Sequence, residues 1–419
     1  MDIEYSTLCK AIEVNGFDAL AATRITDAFF MDEENLRIFQ WVHGFWEQHG
    51  KTPGREAFDH EFPNIRLVET PEPMEYYLDE LRDQRKYAVV MGALDDIQAP
   101  LNRGDVNHAI KILHTSLDNV HLEASELLDE NMTETLAESV EYFDHLSEHT
   151  GLLGYPTGFP SMDQATNGLQ RSQLVTLVGL QKRYKSMVLM CMDIACHRAG
   201  ARTMFASFEM TSMEQRTRHH ALRAGISLTR LQRGRHTPEE RKKLVRMTHE
   251  MDDMQPSILV YDPASTTTVS AISAKIRQHK PDVVFIDGTY LMDSELPNAE
   301  RGSAQALTSI TRSLKLLAQR TDIAIVQTTQ ALGWKARGGK LNLDSIGYSS
   351  SFAQDSDVIF GVEEIRENGE ISDREMTLRI LASRHCPPKN VRLALDLDHG
   401  SIIETESMEY EDDDDLGRE

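Results

Sequence analysis

Leu174-Val175-Thr176-Leu177-Val178-Gly179-Leu180-Gln181-Lys182-Arg183-Tyr184-Lys185-Ser186 is an apolar run followed by a basic turn that closes on a lysine and a hydroxyl residue. A glycine, four residues, then glycine-lysine-serine or threonine, set between a buried strand and a helix, is the pattern of a phosphate-binding loop. Such a loop turns successive backbone N–H groups toward phosphate oxygens, while its lysine reaches the outer phosphates and its hydroxyl holds magnesium. Gly179, Lys182, Arg183, Lys185 and Ser186 supply those parts here. Tyr184 stands where the second glycine belongs. A bulky residue where positive φ is needed costs roughly 1 to 3 kcal/mol in strain. On this stretch alone, a plain strand-turn-helix with a basic turn therefore stays open beside the phosphate loop.

Working outward, 419 residues leave room for two or three domains, and 40% hydrophobic with 26% charged residues is ordinary for a globular chain. No apolar run reaches the ~18 to 20 residues of a membrane helix, and Met1-Asp2-Ile3-Glu4 lacks a secretory pattern, so a cytoplasmic protein with no membrane partner is expected. Cys9, Cys191, Cys196 and Cys386 show no metal-ligand spacing and read as buried thiols. The net charge of -23 argues against a protein that simply coats nucleic acid. Nine acidic residues against one basic lie between Glu404 and Glu419, so residues 406–419 read as a solvated, disordered acidic tail. Between Arg171 and Glu250 the balance reverses, with 16 Lys and Arg against 6 Asp and Glu, which suits a phosphate-rich ligand and also a solvated helical face.

Residues 1–120 carry helical periodicity only: Tyr5, Leu8 and Ile12, then Leu36, Phe39, His43 and Trp46. Thr52-Pro53 predicts a helix start with the threonine as cap. A long helix is predicted from about Glu72 to Ile97, stopping before Pro100. Asp105 is read as the cap of another, with Ala109, Ile110, Leu113 and Leu117 inward. Residues 121–150 form a linker with one amphipathic helix. Asn131 and Glu134 make its capping box, and Met132, Leu136, Val140, Phe143 and Leu146 form a stripe that must be buried on its own neighbour or on another subunit. From Gly151 strands alternate with helices: Leu174 to Val178, Thr203 to Phe208, Ile258 to Tyr261, Val283 to Asp287 and Ile323 to Gln327. Antiparallel strands follow at Val358 to Val362, Glu375 to Ala382, Val391 to Leu397 and Ser401 to Ile403. The expected architecture is an all-α N-terminal domain plus an α/β domain over 151–405 with a mostly parallel central sheet, whose ligands gather at the carboxyl ends of the strands.

Three strand ends carry polar chemistry. Val283-Val284-Phe285-Ile286-Asp287 delivers a carboxylate that could steady magnesium. Phe208-Glu209-Met210 delivers one that could orient and deprotonate an attacking water, or that merely caps the helix at Thr211-Ser212. Thr328-Thr329-Gln330 offers amides and hydroxyls that could sense a terminal phosphate, or is an ordinary polar strand end.

In this order the pieces resemble the DnaB-type replicative helicases, whose motor has the RecA-like fold. The resemblance runs through Pro156-Thr157-Gly158-Phe159, Thr166-Asn167-Gly168-Leu169, the phosphate loop, Ser207-Phe208-Glu209-Met210, Ile286-Asp287, Thr329-Gln330, Gln354-Asp355-Ser356-Asp357-Val358 and Ser383-Arg384-His385. The helical part, with Leu36-Arg37-Ile38-Phe39 and His49-Gly50-Lys51-Thr52-Pro53, is similar to the family's N-terminal domain. The resemblance implies a homohexameric ring with ATP and Mg2+ between subunits, single-stranded DNA in the channel, and a primase and a helicase loader as partners. It implies that Lys185 and Ser186 hold phosphate and metal, Glu209 is the general base, Asp287 supports the metal, Gln330 is the sensor and Arg384 is an arginine finger reaching the neighbour's ATP. Ala382 departs from the family's lysine two residues before the finger, and Gly347-Tyr348-Ser349-Ser350 from its DNA-facing arginine-glutamate-serine-glycine. DNA contact then falls to Trp334, Lys335, Arg337 and Lys340, with a solvated loop as the alternative reading. A weakly hydrolysing ring that serves as a platform for primase or loader, and a RecA-like filament on DNA, are the rival functions.

Overall fold

The computed structural model describes residues 2–23, 25–106, 108–109, 112–113, 116, 132–133, 135–148, 151–182, 184–262, 266–296, 299–333, 335–336, 340–346, 351–367 and 370–408. The chain forms two compact units, Met1–Asp144 and His145–Glu419.

The first unit is helical: Ile3–Glu13, Phe17–Ala22, Glu33–His49, Arg55–Glu61 and Met74–Asn102. Its core gathers Leu8, Phe17, Leu20, Ile38, Phe39, Phe58 and Leu81. Asp32 caps the third helix by accepting from Glu34 and Asn35 N–H, and Gly50 ends it in the left-handed conformation that glycine adopts without a Cβ clash. Thr52 does not start a helix. Its hydroxyl accepts from Phe17 N–H at 3.0 Å, so it satisfies an orphan donor at the head of a different helix, and the expected helix begins three residues later at Arg55. The long helix runs through Pro100 and ends two residues beyond it, because a proline in the last turn removes one intrahelical bond from a segment that is already ending. Asp105 accepts from His108 N–H as a cap should; Leu113, expected inward, is exposed, while Ile110 and Leu117 lie outside the described residues. The amphipathic helix is Leu136–Glu148, with Leu136, Val140 and Phe143 of its stripe exposed; Asn131 and Glu134 lie outside the described residues.

The second unit is built on one nine-stranded sheet. Its strands are β1 Leu174–Gly179, β2 Thr203–Ser207, β3 Ser257–Tyr261, β4 Val283–Asp287, β5 Ala324–Gln330, β6 Val358–Glu367, β7 Glu370–Ser383, β8 Asn390–Asp396 and β9 Ser401–Met408, in the order β3-β2-β4-β5-β1-β6-β7-β8-β9. All pairs from β3 to β6 are parallel, including β6 on β1, and β7 to β9 add antiparallel strands. The strand at Val358, expected in the antiparallel group, thus joins the parallel part.

Because helices cover both faces, the central strands are apolar at nearly every position. Val175, Leu177, Phe205, Phe285 and Val326 face the helix Lys185–Arg198 side; Leu174, Val178, Met204, Ile286 and Ile325 face the side of Val269–His279 and Ala304–Thr321. β5 extends three residues past its expected end, through Thr328 and Thr329, both buried. β9 likewise absorbs residues 406–408 of the expected tail, and Glu404 accepts from Ser161 N–H at 3.0 Å, which fixes it against the entry segment of the unit; residues 409–419 lie outside the described residues. Of the four thiols, Cys9 and Cys196 are buried and Cys191 and Cys386 half-buried. Among the described residues no helix is long and apolar enough to cross a membrane.

Replacing Thr52 by valine keeps its shape and strands the buried Phe17 N–H. The expected loss is about 1–3 kcal/mol, read as a lower midpoint in urea unfolding; an unchanged midpoint would show that the hydroxyl is not a cap.

Candidate active site

Four neighbouring strands, β2, β4, β5 and β1, end side by side. Registers Ser207↔Asp287, Ile286↔Gln327 and Gly179↔Gln330 place their carboxyl ends at one level. Glu209 follows β2, Asp287 ends β4, Gln330 ends β5 and Gly179 ends β1, so the sheet order alone brings the expected residues to one edge. At that edge opens a cleft of about 890 Å³ lined by Lys182, Tyr184, Lys185, Ser186, Glu209 and Gln330, with Gln181, Phe208, Arg218, Tyr290 and Leu291 among the others; Asp287 is buried and is not part of its lining.

The loop that borders the cleft carries two left-handed residues that are not glycine. Lys182 (φ 60°) and Tyr184 (φ 55°) are both left-handed, which costs about 1–2 kcal/mol each for a non-glycine residue. Tyr184 thus adopts the backbone that the missing glycine would take, immediately before the helix Lys185–Arg198, and its ring packs against the core beneath. Gly179 is required for a different reason: a Cβ there would lie 2.7 Å from Lys185 Cγ, so the lysine stem occupies the space that any other residue would fill. Arg183 lies outside the described residues.

Lys185 is buried, and burial pulls its ammonium below the ordinary lysine value, while the carboxylates of Glu209 and Asp287 hold it up. Asp287 is fully buried; burial pushes its carboxyl up, while the neighbouring Ser186 hydroxyl, the bond from Thr328 and the charges of Lys185 and Arg218 oppose that rise. Thr328 donates to Asp287 Oδ1 at 3.0 Å and accepts from Gly288 N–H at 2.8 Å, which locks the turn after β4 to β5. Asp287 Oδ2 has no hydrogen-bond partner among the described residues. Glu209 opens to solvent on the cleft side, yet its carboxyl group crowds Gly288, where a Cβ would meet Glu209 Cγ at 3.2 Å. Burial of the carboxyl group and the neighbouring Asp287 charge raise its pKa; Lys185 and Arg218 oppose that rise. Glu209 does not cap the following helix: Thr211 does, in a reciprocal capping box with Glu214. Gln330 donates its side-chain amide to the Tyr290 hydroxyl across the cleft wall.

Arg384 is not in this cleft. It binds Asp357, just before β6, and donates to the Gln354 carbonyl at 2.9 Å, while Asp357 accepts from Leu174 N–H at the start of β1. That is the amino edge of the parallel strands, about 16 Å along β1 from the phosphate loop. Lys335 and Lys340 lie in the segment after β5, outside the cleft lining; Trp334, Arg337 and the stretch 347–350 fall outside the described residues. Arg218 and Tyr290 are cleft residues that sequence reasoning missed. Arg218 is one cation among 16 in a basic stretch, and nothing in spacing singles it out.

An enclosed ammonium, an orphaned buried carboxylate oxygen and a glycine whose missing Cβ admits the lysine stem fit a nucleoside triphosphate with a divalent cation. Residues 154–401 match the family of DnaB-like helicase C-terminal domains. The chain belongs to that family. It is 28% identical over 257 residues to the replicative DNA helicase DnaB of Treponema pallidum (strain Nichols), covering 61% of this chain and 57% of that protein. To the replicative DNA helicase DnaB of Geobacillus stearothermophilus it is 25% identical over 286 residues, 66% and 62% of the two. The matches thus span between 57% and 62% of these curated relatives. A solved structure of a DnaB-like replicative helicase and its interactions with primase superposes with a TM-score of 0.69 at 17% identity, over 96% of this chain and 99% of that one. A solved ATPase domain does so at 0.59 and 21%, over 67% and 100%. At these identities the likeness shows the fold, a RecA-like unit with a helical region before it.

Two substitutions separate the roles in the loop. Tyr184→Gly is expected to bind ATP as tightly as the parent or more tightly, since it relieves a left-handed tyrosine, whereas Gly179→Ala displaces Lys185 and is expected to lose binding. Fluorescent-nucleotide titration reads both, and weaker binding in Tyr184→Gly would mean that the ring itself holds the ligand.

Proposed function

We propose that this DnaB-family chain is an ATP-driven replicative DNA helicase, a homohexameric ring that moves along single-stranded DNA and separates the duplex. The observation that carries the reading is the convergence of Lys185, Ser186, Glu209 and Gln330 on one cleft at four adjacent strand ends, with the buried Asp287 close enough for its charge to act on Lys185 and Glu209. In this reading the backbone from Gly179 to Ser186, with Lys182, Arg183 and Tyr184, wraps the triphosphate, and Lys185 neutralises its outer oxygens. Ser186 and Asp287 hold Mg2+, which when bound would screen the phosphate charge that builds in the transition state. Glu209 orients a water and takes its proton, and the cations Lys185 and Arg218 keep it ionised against its burial.

Gln330 reads the terminal phosphate and is held in place by Tyr290. Arg384, at the far edge of the sheet from its own cleft, acts as the finger on a neighbour's nucleotide. The exposed stripe Leu136, Val140 and Phe143 supports a linker helix that docks on an adjacent motor. Trp334, Lys335, Arg337 and Lys340 contact the strand by stacking and phosphate pairing. A primase and a loader are the protein partners that the family likeness supports.

Steady-state ATP hydrolysis with and without single-stranded DNA tests the reading on the parent, Lys185→Ala and Glu209→Gln. DNA-stimulated turnover in the parent, reduced by about 100-fold or more in both variants, is expected; no stimulation above the variants would leave a structural platform for primase or loader as the function.

The pH profile follows from the charges around Glu209. Its raised pKa places the acid limb of hydrolysis above the ordinary carboxylate range, because the base works only when ionised. Arg218 lowers that pKa, so Arg218→Met should move the limb to higher pH. A limb that stays in place or moves down would remove Glu209 as the titrating base.

A further inference from the structure

The segment after β5 is held at its base by a charge pair that the hydrolysis chemistry does not use. Glu363, in β6, is 6% exposed. It accepts from Leu341 N–H at 2.7 Å. Arg379, in β7, lies 3.5 Å from the same Glu363 oxygen and donates to the Leu341 carbonyl at 2.8 Å. Both peptide groups of one residue are therefore gripped by the two members of one ion pair. Leu341 is itself buried against the second apolar cluster, and beyond it Asn342 and Ser345 cap each other reciprocally. Leu332 N–H bonds the Ser345 carbonyl at 2.8 Å, and Ala331 bridges to Ile346, so both ends of the segment are fixed.

An ion pair in such surroundings is a poor source of net stability. Removing two charges from water offsets most of their attraction, and an apolar pair of similar volume does as well or better. What an apolar pair cannot do is bond a peptide N–H and C=O at fixed points. The pair therefore contributes position, and the residue whose position it sets is Lys340, exposed and adjacent to Leu341. The strand that carries Glu363 is also the neighbour of the phosphate loop: Val362 pairs in register with Gly179, the residue against which the Lys185 stem is packed.

We propose that Glu363 and Arg379 form a peptide clamp on Leu341 that positions Lys340 to meet a phosphate of single-stranded DNA. Both are positioning residues, and the inference rests on the reading of this chain as a DNA-translocating motor.

The test uses the full chain, a dT oligonucleotide and four variants: Glu363→Leu, Glu363→Gln, Lys340→Ala and the double variant Glu363→Leu with Lys340→Ala. Glu363→Leu should keep the unstimulated ATPase rate and the KM for ATP within about two-fold of the parent, while the oligonucleotide concentration for half-maximal stimulation rises about ten-fold. Lys340→Ala should raise the half-maximal oligonucleotide concentration by a similar factor, and the double variant no more than either, since both remove one contact. Glu363→Gln keeps an acceptor for Leu341 N–H and should recover most of the loss. Stimulation of Glu363→Leu at the parental concentration, or additive losses in the double variant, overturns the clamp. Hydrogen exchange gives a readout that does not depend on DNA. Leu341 N–H should lose protection in Glu363→Leu and keep it in Lys340→Ala, and unchanged protection in both overturns the clamp even if the parent proves not to be stimulated by DNA. Should Glu363→Leu fold poorly by thermal melt, Arg379→Met, which frees the Leu341 carbonyl, carries the stimulation measurement in its place.

Discussion

A lysine ammonium held out of water between two carboxylates is the constraint around which the RecA-like unit is arranged. Burial pulls the Lys185 ammonium below its ordinary value and pushes the carboxyl of Asp287, which has no surface exposed, above its own. The charge of each opposes the shift in the other, supplying part of the field lost with its hydration. The arrangement demands that a strand end in aspartate one strand away from a strand end that lets the lysine stem pass. The order β2-β4-β5-β1, and a glycine at position 179, meet both demands. One oxygen of the buried Asp287 is left without a hydrogen-bond partner among the described residues, while Lys185 and Glu209 line the cleft.

Backbone strain is placed at the rim of that cleft. Lys182 and Tyr184 are left-handed without being glycine, and the second of them caps the helix whose first residues, Lys185 and Ser186, line it. A left-handed tyrosine persists because its ring is packed on the sheet core, so strain at the loop is offset by burial beneath it. The motif departs from the usual pattern in side chain and keeps it in backbone.

The parallel core was legible because each strand is a short apolar run, and the ends of β1, β2, β3 and β4 fell within one residue of where the alternation put them. β5 was cut short for a physical reason: Thr328 and Thr329 are polar yet buried, one bonded to Asp287 and the other on the cleft side of the sheet, and polarity alone marks such residues as loop. Strands β7 and β9 were underestimated because charged residues alternate along their solvated faces. Thr52 misled because a cap can serve a helix far away in the chain as well as the one that follows it. Arg218 was hidden in a run of like charges. The Glu363–Arg379 pair was invisible, since a glutamate and an arginine sixteen positions apart in two antiparallel strands have no signature until register brings them together.

The bond between Glu404 and the backbone of Ser161 joins residues 243 positions apart. A unit whose entry segment is pinned by its last strand has a high contact order, and loops of that length close slowly. During synthesis, the parallel strands can assemble before β9 exists, with Phe159 and Met162 already packed beside the helix Lys185–Arg198, but the Ser161 N–H lacks this partner until residue 404 has emerged. Until β9 pairs with it, β8 is an open sheet edge, and an unpaired edge exposed during folding is a site of misassembly.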